Sequence, residues 1–290
     1  MSLWHIIILA VIQGFAELLP VSSSAHVVVA EKLMKIDPSA PESTFLLVML
    51  HTGTMFAMIL YFWRQWRRAF FYNWEAFKNS AFLLILATLF TGVIGEALIL
   101  FIEKVCLRRT PKAEVEQLFS HLEWIAPALA VAGILIFAAG LYERHRASVM
   151  TTPPGPVLDP KQAAIIGAVQ GLCLPFRGLS RSGATISAGM FVGAARVLAE
   201  EFSFALAVIL TPVADGRELL RLMKAHELSG GGSVASAMLP TLLGTFCAFL
   251  AGLVALEWLS RWLERGRWYW FGIYCLAASG VVAFMYHVGY

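Results

Sequence analysis

Between Gln13 and His26 the chain gathers an amide, a carboxylate, three consecutive hydroxyls and an imidazole, in the run Gln13-Gly14-Phe15-Ala16-Glu17-Leu18-Leu19-Pro20-Val21-Ser22-Ser23-Ser24-Ala25-His26. Gln13 and Glu17 are four apart, which puts both on one face of a helix. The turn Leu19-Pro20-Val21 ends that helix, and Ser22 to Ser24 open the next one as N-capping hydroxyls do. Capping alone would need one serine. Hydrolysis needs a nucleophile and a group to take its proton, and Ser23 with His26, one helical turn further on, supplies both. Ser22 and Ser24 are adjacent hydroxyls that can bind the same substrate. Glu17 and Gln13 are oxygen ligands of the kind Mg2+ or Ca2+ takes, and such a cation would neutralise a phosphorylated substrate and stabilise its leaving group.

A second polar run, Pro175-Phe176-Arg177-Gly178-Leu179-Ser180-Arg181-Ser182-Gly183-Ala184-Thr185, brings two guanidinium groups and more hydroxyls to the start of another helix. Helix N-termini attract phosphate through their backbone N–H groups and dipole. Arginine adds planar donors that match phosphate oxygens. Arg181, with Ser180, Ser182 and Thr185 around it, therefore reads as an anion cradle. Arg177 either adds a phosphate contact or points to the membrane surface. The structural alternative for Arg181 is an internal salt bridge to Glu17. His5, His121, His145, His226 and His287 read as structural, whereas His51, ahead of Thr52-Gly53-Thr54 within an apolar stretch, reads equally as pocket lining or as interhelical bonding.

The elements that must carry these residues are membrane helices. Of the 290 residues 59% are hydrophobic, and the mean hydropathy is +0.72, too apolar for one water-soluble domain. Stretches of about 20 apolar residues fall near 45–63, 81–102, 124–142, 202–222, 237–259 and 268–288. Asp215 and Arg217 come early in the fourth of these, which would leave the helix from Phe202 broken or short. The stretches 3–34 and 162–197 are each interrupted by Pro, Gly and Ser and read as re-entrant half-helix pairs, irregular backbone being tolerated at membrane depth only where protein or a wet cavity covers it.

Gln13-Gly14 leading to Pro20 and Ser22-Ser23-Ser24 parallels Gln170-Gly171 leading to Pro175 and Ser180-Arg181-Ser182. The expected fold is therefore all-α integral membrane, built as two inverted repeats of a re-entrant pair plus three spans, 1–150 and 151–290. Thr151 to Pro156 is a stiff linker between them, and Ser229 to Ser233 a flexible glycine loop. Lysine and arginine are nearly balanced between the two sets of loops and favour an outside N-terminus only slightly. The four cysteines show no CxxC spacing and read as free thiols. No basic stripe with interleaved aromatics is present, which excludes a nucleic-acid partner.

At these two motifs the sequence resembles the bacterial undecaprenyl-diphosphate phosphatase family, the integral membrane enzymes linked to bacitracin resistance. The first run follows the family's (E/Q)-x-x-x-E and PVSS-x-x-H pattern, Ser180 to Thr185 follow its SRSGAT, and similar stretches continue at 53–62, 201–208 and 244–259. The resemblance implies removal of one phosphate from the C55 polyprenyl diphosphate that carries cell-wall precursors in peptidoglycan synthesis. It also implies dependence on a divalent cation and a site that opens to the periplasm from the bacterial inner membrane. Carried over by position, Glu17 and Gln13 are the acidic-motif residues, Ser23 (with Ser22 beside it) the nucleophile, His26 the acid or base and Arg181 the phosphate-binding arginine. The chain departs from the family where two residues are inserted between Pro175 and Gly178. The competing expectation is a transporter or flippase of polyprenyl phosphate, since inverted repeats with broken helices are also transporter architecture. The expected partners are the polyprenyl lipid and membrane lipids, with a homodimer left open.

Overall fold

A computed structural model describes residues 1–38, 40–106, 122–149, 155, 157–229, 234–263 and 267–289. Among them the secondary structure is helical throughout: α1 (Leu3–Leu18), α2 (Ser23–Leu33), α3 (Pro41–Phe70), α4 (Trp74–Phe101, running into a π turn at Ile102–Cys106), α5 (Leu122–Val149), α6 (Pro160–Cys173), α7 (Arg181–Phe191), α8 (Arg196–Ser229), α9 (Val234–Leu263) and α10 (Tyr269–Val288). Most of the expected linker at 151–156 and of the glycine loop at 229–233 lies outside the described residues.

The starts of several helices follow from their side chains. Ser2 accepts a hydrogen bond from the His5 N–H, and Asn73 accepts one from Ala76 at 2.7 Å. Asp159 and Gln162 form a reciprocal capping box, with Pro160 in the first turn of α6. Both interruptions fall where the sequence places them, at 19–22 and 174–180.

Five helices are long and apolar enough to cross a membrane: Ser43–Phe70, Trp74–Lys104, Leu122–Arg146, Leu239–Leu259 and Tyr269–Val288. They make the chain a multi-pass membrane protein and account for five of the six expected spans. The sixth, 202–222, lies inside α8, which is not among the five. The expectation of a broken or short helix there is corrected, because α8 runs unbroken for 34 residues past Pro212, Asp215 and Arg217. Charge lowers the apolarity of a helix without interrupting its backbone hydrogen bonds.

Small residues set how closely these helices pack. α1 lies on α9, where a Cβ at Gly14 would stand 2.5 Å from the Ala251 Cβ, and α6 lies on α4, where one at Gly167 would stand 2.2 Å from the Ala87 carbonyl oxygen. Thr91 reinforces the second contact by donating to the Gly167 carbonyl at 2.9 Å. α5 pairs with α10 in the same manner, Gly272 standing against the backbone of Phe137. Between α3 and α8, Phe62 stacks on Trp66 and meets Phe204. The broken pair α1–α2 is thus held on one side by α9 and α3, and the pair α6–α7 by α4, α5 and α8.

Candidate active site

The two interruptions meet. Gly178, at φ +106° in the second, donates its backbone N–H to the Ser24 hydroxyl in the first at 3.3 Å. Each interruption ends on a serine in the left-handed region, Ser22 (φ 69°) and Ser180 (φ 46°). Such backbone costs a non-glycine residue about 1–3 kcal/mol and persists where surrounding structure enforces it. Ser180 then caps α7 by accepting the Gly183 N–H at 3.3 Å, whereas Ser22 makes no side-chain cap to α2. Two helix N-termini, those of α2 and α7, therefore face one polar cavity of about 250 Å3, bordered by Glu17, Ser22, Ser23, Ser24, His51, Ser180, Arg181 and Ser182.

Glu17, on the last turn of α1, organises this cavity. Its carboxylate is buried, with 7% of the side chain exposed. Oε1 accepts a hydrogen bond and ion pair from Arg181 Nη2. Oε2 accepts from the Ser23 hydroxyl at 2.5 Å and from Gln13 Nε2 at 3.1 Å. His51 Nε2 stands 3.4 Å from the same oxygen, an ion pair only with the ring protonated, and its Nδ1 donates to the Leu47 carbonyl at 2.7 Å. A carboxylate buried in a membrane helix needs such partners, because its insertion otherwise costs about 2.5–3.5 kcal/mol.

The remaining residues divide between this cavity and its surroundings. His26 does not meet Ser23. Its Nδ1 donates to the Ser22 carbonyl at 2.8 Å and its Nε2 accepts from the Tyr274 hydroxyl at 2.7 Å, so both ring nitrogens are used away from the polar cavity. The reason is local: with Ser22 as the N-cap, Ser23 turns back to α1 while His26, one turn on, faces α10. Thr185 is fully buried behind the cradle, where it bonds Ser203 at 2.6 Å and donates to the Arg181 carbonyl at 2.8 Å. Arg177 is not among the cavity's lining residues and interacts electrostatically with Glu31. Gln13 touches the site through Glu17, and its Oε1 is buried without a hydrogen-bond partner.

Two residues enter the picture that the motifs did not assign. His51 lines the polar cavity, and its place within a span ahead of Thr52-Gly53-Thr54 was the only signal for it. Tyr274 had none, being one aromatic residue in an aromatic-rich helix. Cys173, Cys247 and Cys275 are free.

A serine held by a carboxylate that is itself paired with an arginine, at two converging helix N-termini, is equipment for phosphate chemistry, and comparison with known proteins agrees. The family model described as bacitracin resistance protein BacA matches residues 6–281. Undecaprenyl-diphosphatase 2 of Acinetobacter baylyi is 55% identical over 285 residues, covering 97% of each chain. Undecaprenyl-diphosphatase 2 of Burkholderia thailandensis is 35% identical over 301 residues, covering 99% of each. Undecaprenyl-diphosphatase 1 of Burkholderia pseudomallei is 34% identical, covering 96% of this chain and 95% of its own. With the match running almost end to end and spanning both polar runs, the chain belongs to the bacitracin resistance protein BacA family.

Proposed function

We propose that this protein is an undecaprenyl-diphosphate phosphatase, hydrolysing the C55 polyprenyl diphosphate to undecaprenyl phosphate and inorganic phosphate and so recycling the cell-wall lipid carrier. The observation that carries this reading is the convergence of the α2 and α7 N-termini on one small cavity that the Ser23 hydroxyl, the Glu17 carboxylate and the Arg181 guanidinium all line. The undecaprenyl-diphosphatase of Acinetobacter baylyi, 55% identical along nearly the whole chain, supports it.

In the proposed reaction the α2 and α7 N-termini and Arg181 hold the phosphate oxygens; a guanidinium has five N–H donors, and one of its nitrogens serves Glu17. The Ser23 oxygen bonds to the terminal phosphorus as the bond from that phosphorus to the bridging oxygen breaks, releasing the polyprenyl phosphate. The serine proton passes to Glu17 Oε2, to which it is already bonded. Water then adds to the phosphoserine phosphorus as its bond to the Ser23 oxygen breaks, Glu17 returns the proton to that oxygen, and inorganic phosphate leaves. Gln13 holds Glu17 in place, and Ser22, Ser24, Ser180 and Ser182 offer hydroxyls to the diphosphate. Thr185 and His26 act at one remove, Thr185 by fixing the first turn of α7 and His26 by holding the Ser22 carbonyl.

A divalent cation, Mg2+ or Ca2+, fits the donor chemistry. Among the described residues Glu17 is the only carboxylate bordering the cavity, and Gln13, which bonds that carboxylate through Nε2, has a buried Oε1 with no hydrogen-bond partner. Among the described residues no group of three or more His, Cys, Asp or Glu could hold a metal by itself. Substrate phosphate and water would therefore complete the coordination, as is common for magnesium. When bound, the cation supplies neutralisation of the diphosphate charge.

The architecture behind the site is proposed as two inverted repeats, 1–150 and 151–290. The crossed packing of α1 on α9 and α6 on α4, and a left-handed serine opening each of the 11-residue helices α2 and α7, support that reading. The protein would lie in the bacterial plasma membrane with the site open to the outside. The experiment that tests the function is phosphate release from C55 diphosphate by the purified protein. Absence of release, with the lipid still moved between leaflets of reconstituted vesicles, would make it a transporter instead.

A further inference from the structure

Among the described residues, two apolar cavities flank the helices outside the polar site. The larger, of about 690 Å3, runs between α3 and α9 past Phe56, Trp63 and Phe246, and it shares no lining residue with the polar cavity. The other, of about 600 Å3, has the end of α1 and the following turn as one wall and α9 and α10 as the opposite one. Ala16 lines both this cavity and the polar one. Its neighbours divide, Phe15 lining the apolar space and Glu17 the polar one, so the last turn of α1 is a ridge between them. Size alone would favour the α3–α9 groove as a lipid site. Continuity favours the other, because a molecule whose head fills the polar cavity can pass its tail over Ala16 in a single step.

The walls suit an unsaturated, branched chain. His26 and Tyr274 are polar residues within this cavity, yet the Nδ1 of His26 is taken by the Ser22 carbonyl and its Nε2 by the Tyr274 hydroxyl. Their rings are stacked, 10° from parallel with centroids 5.6 Å apart. With those polar atoms paired, the two residues offer ring surface to an occupant. Phe15, Trp258 and Trp270 add further aromatic area.

We infer that the cavity between the end of α1 and helices α9 and α10 holds the prenyl units next to the diphosphate, with Ala16 as the sill between head and tail. This rests on the proposed reaction for the identity of the lipid, and the test separates the two. The probe is a polyprenyl diphosphate bearing a benzophenone on its second isoprene unit, photolysed with the full chain in nanodiscs and mapped by peptide mass spectrometry. Adducts are expected within Phe15–Val21 and Trp270–Ala277, suppressed by excess C55 diphosphate but not by phosphatidic acid. Ala277→Trp, which fills the cavity from α10, should cut that labelling about tenfold or more, as overfilling a packed space does, and raise KM for the C55 substrate by a similar factor. Adducts concentrated in 56–63 or 242–249, adducts in neither place, or equal suppression by phosphatidic acid would overturn the inference. Labelling of α10 without phosphate release would uphold the cavity and discard the phosphatase reading.

Discussion

Arg181 and Glu17 stand 164 positions apart in sequence and bond directly, and the carboxylate divides its work between its two oxygens. Oε1 takes the guanidinium, while Oε2 takes the Ser23 hydroxyl, the Gln13 amide and the approach of His51. The pair therefore both ties α7 to α1 and sets the environment of the hydroxyl beside it.

Removing either partner should be costly in two ways. Glu17→Ala and Arg181→Ala should each lower turnover by about 10^2–10^3-fold, the range for losing one preorganised electrostatic contact to a transition state. Each also strands a charge, and breaking a buried pair costs about 3–5 kcal/mol, so the thermal midpoint in detergent should fall for both. Wild-type rates in both variants would remove the pair from the reaction.

Ser23→Ala should abolish phosphate release while the lipid diphosphate still binds, since in binding the hydroxyl is one donor among several, worth about 0.5–1.5 kcal/mol. Tyr274→Phe is the contrasting variant: it deletes one hydrogen bond to His26, and a loss of that size corresponds to about 2- to 12-fold. A Ser23→Ala protein that hydrolyses at the normal rate would transfer the attack to Ser22 or to water.

Chelation should stop phosphate release, and magnesium or calcium, but not sodium, should restore it. The expectation follows from the proposed cation, to which Glu17 and Gln13 would offer oxygen donors while substrate phosphate and water filled the rest of its shell. Hydrolysis that continues undiminished in EDTA would leave the negative charge to Arg181 and the helix N-termini.

Topology is checked by reporters. The proposed two copies of a re-entrant pair with three spans would put both chain ends on the same side, α8 supplying the sixth crossing, and a fusion after Tyr290 should then be active only in the periplasm. Activity confined to the cytoplasm would reverse both the topology and the side from which the site is reached.

How far the site could be read in the sequence depended on which physical rule applied. The salt bridge between Glu17 and Arg181 was readable only as the structural alternative to a phosphate-binding arginine, and the structure has it; charges at membrane depth need partners, and that rule is insensitive to sequence distance. The pairing of Ser23 with His26 rested on helical spacing, which brings two positions near one face but does not say which neighbour each side chain takes. Here Glu17 takes the serine and Tyr274 takes the histidine. Arg177 and Thr185 carried the right chemistry for the cradle, but one lies toward Glu31 and the other behind α7. The interruptions at 19–22 and 174–180 were readable because proline and clustered serines break helices locally. α8 was harder, since Asp215 and Arg217 change how apolar a helix is without stopping it.

The crossed packing of the helices also bears on how the protein is made. A ribosome delivers α1 to the membrane first, yet its packing partner α9 and the arginine that neutralises Glu17 both belong to the second half of the chain. A nascent chain that ends before α6 holds Glu17 without its cation. The site is therefore assembled late, when the incoming half settles against helices that have been waiting in the bilayer, and insertion of α1 has to succeed without help from Arg181.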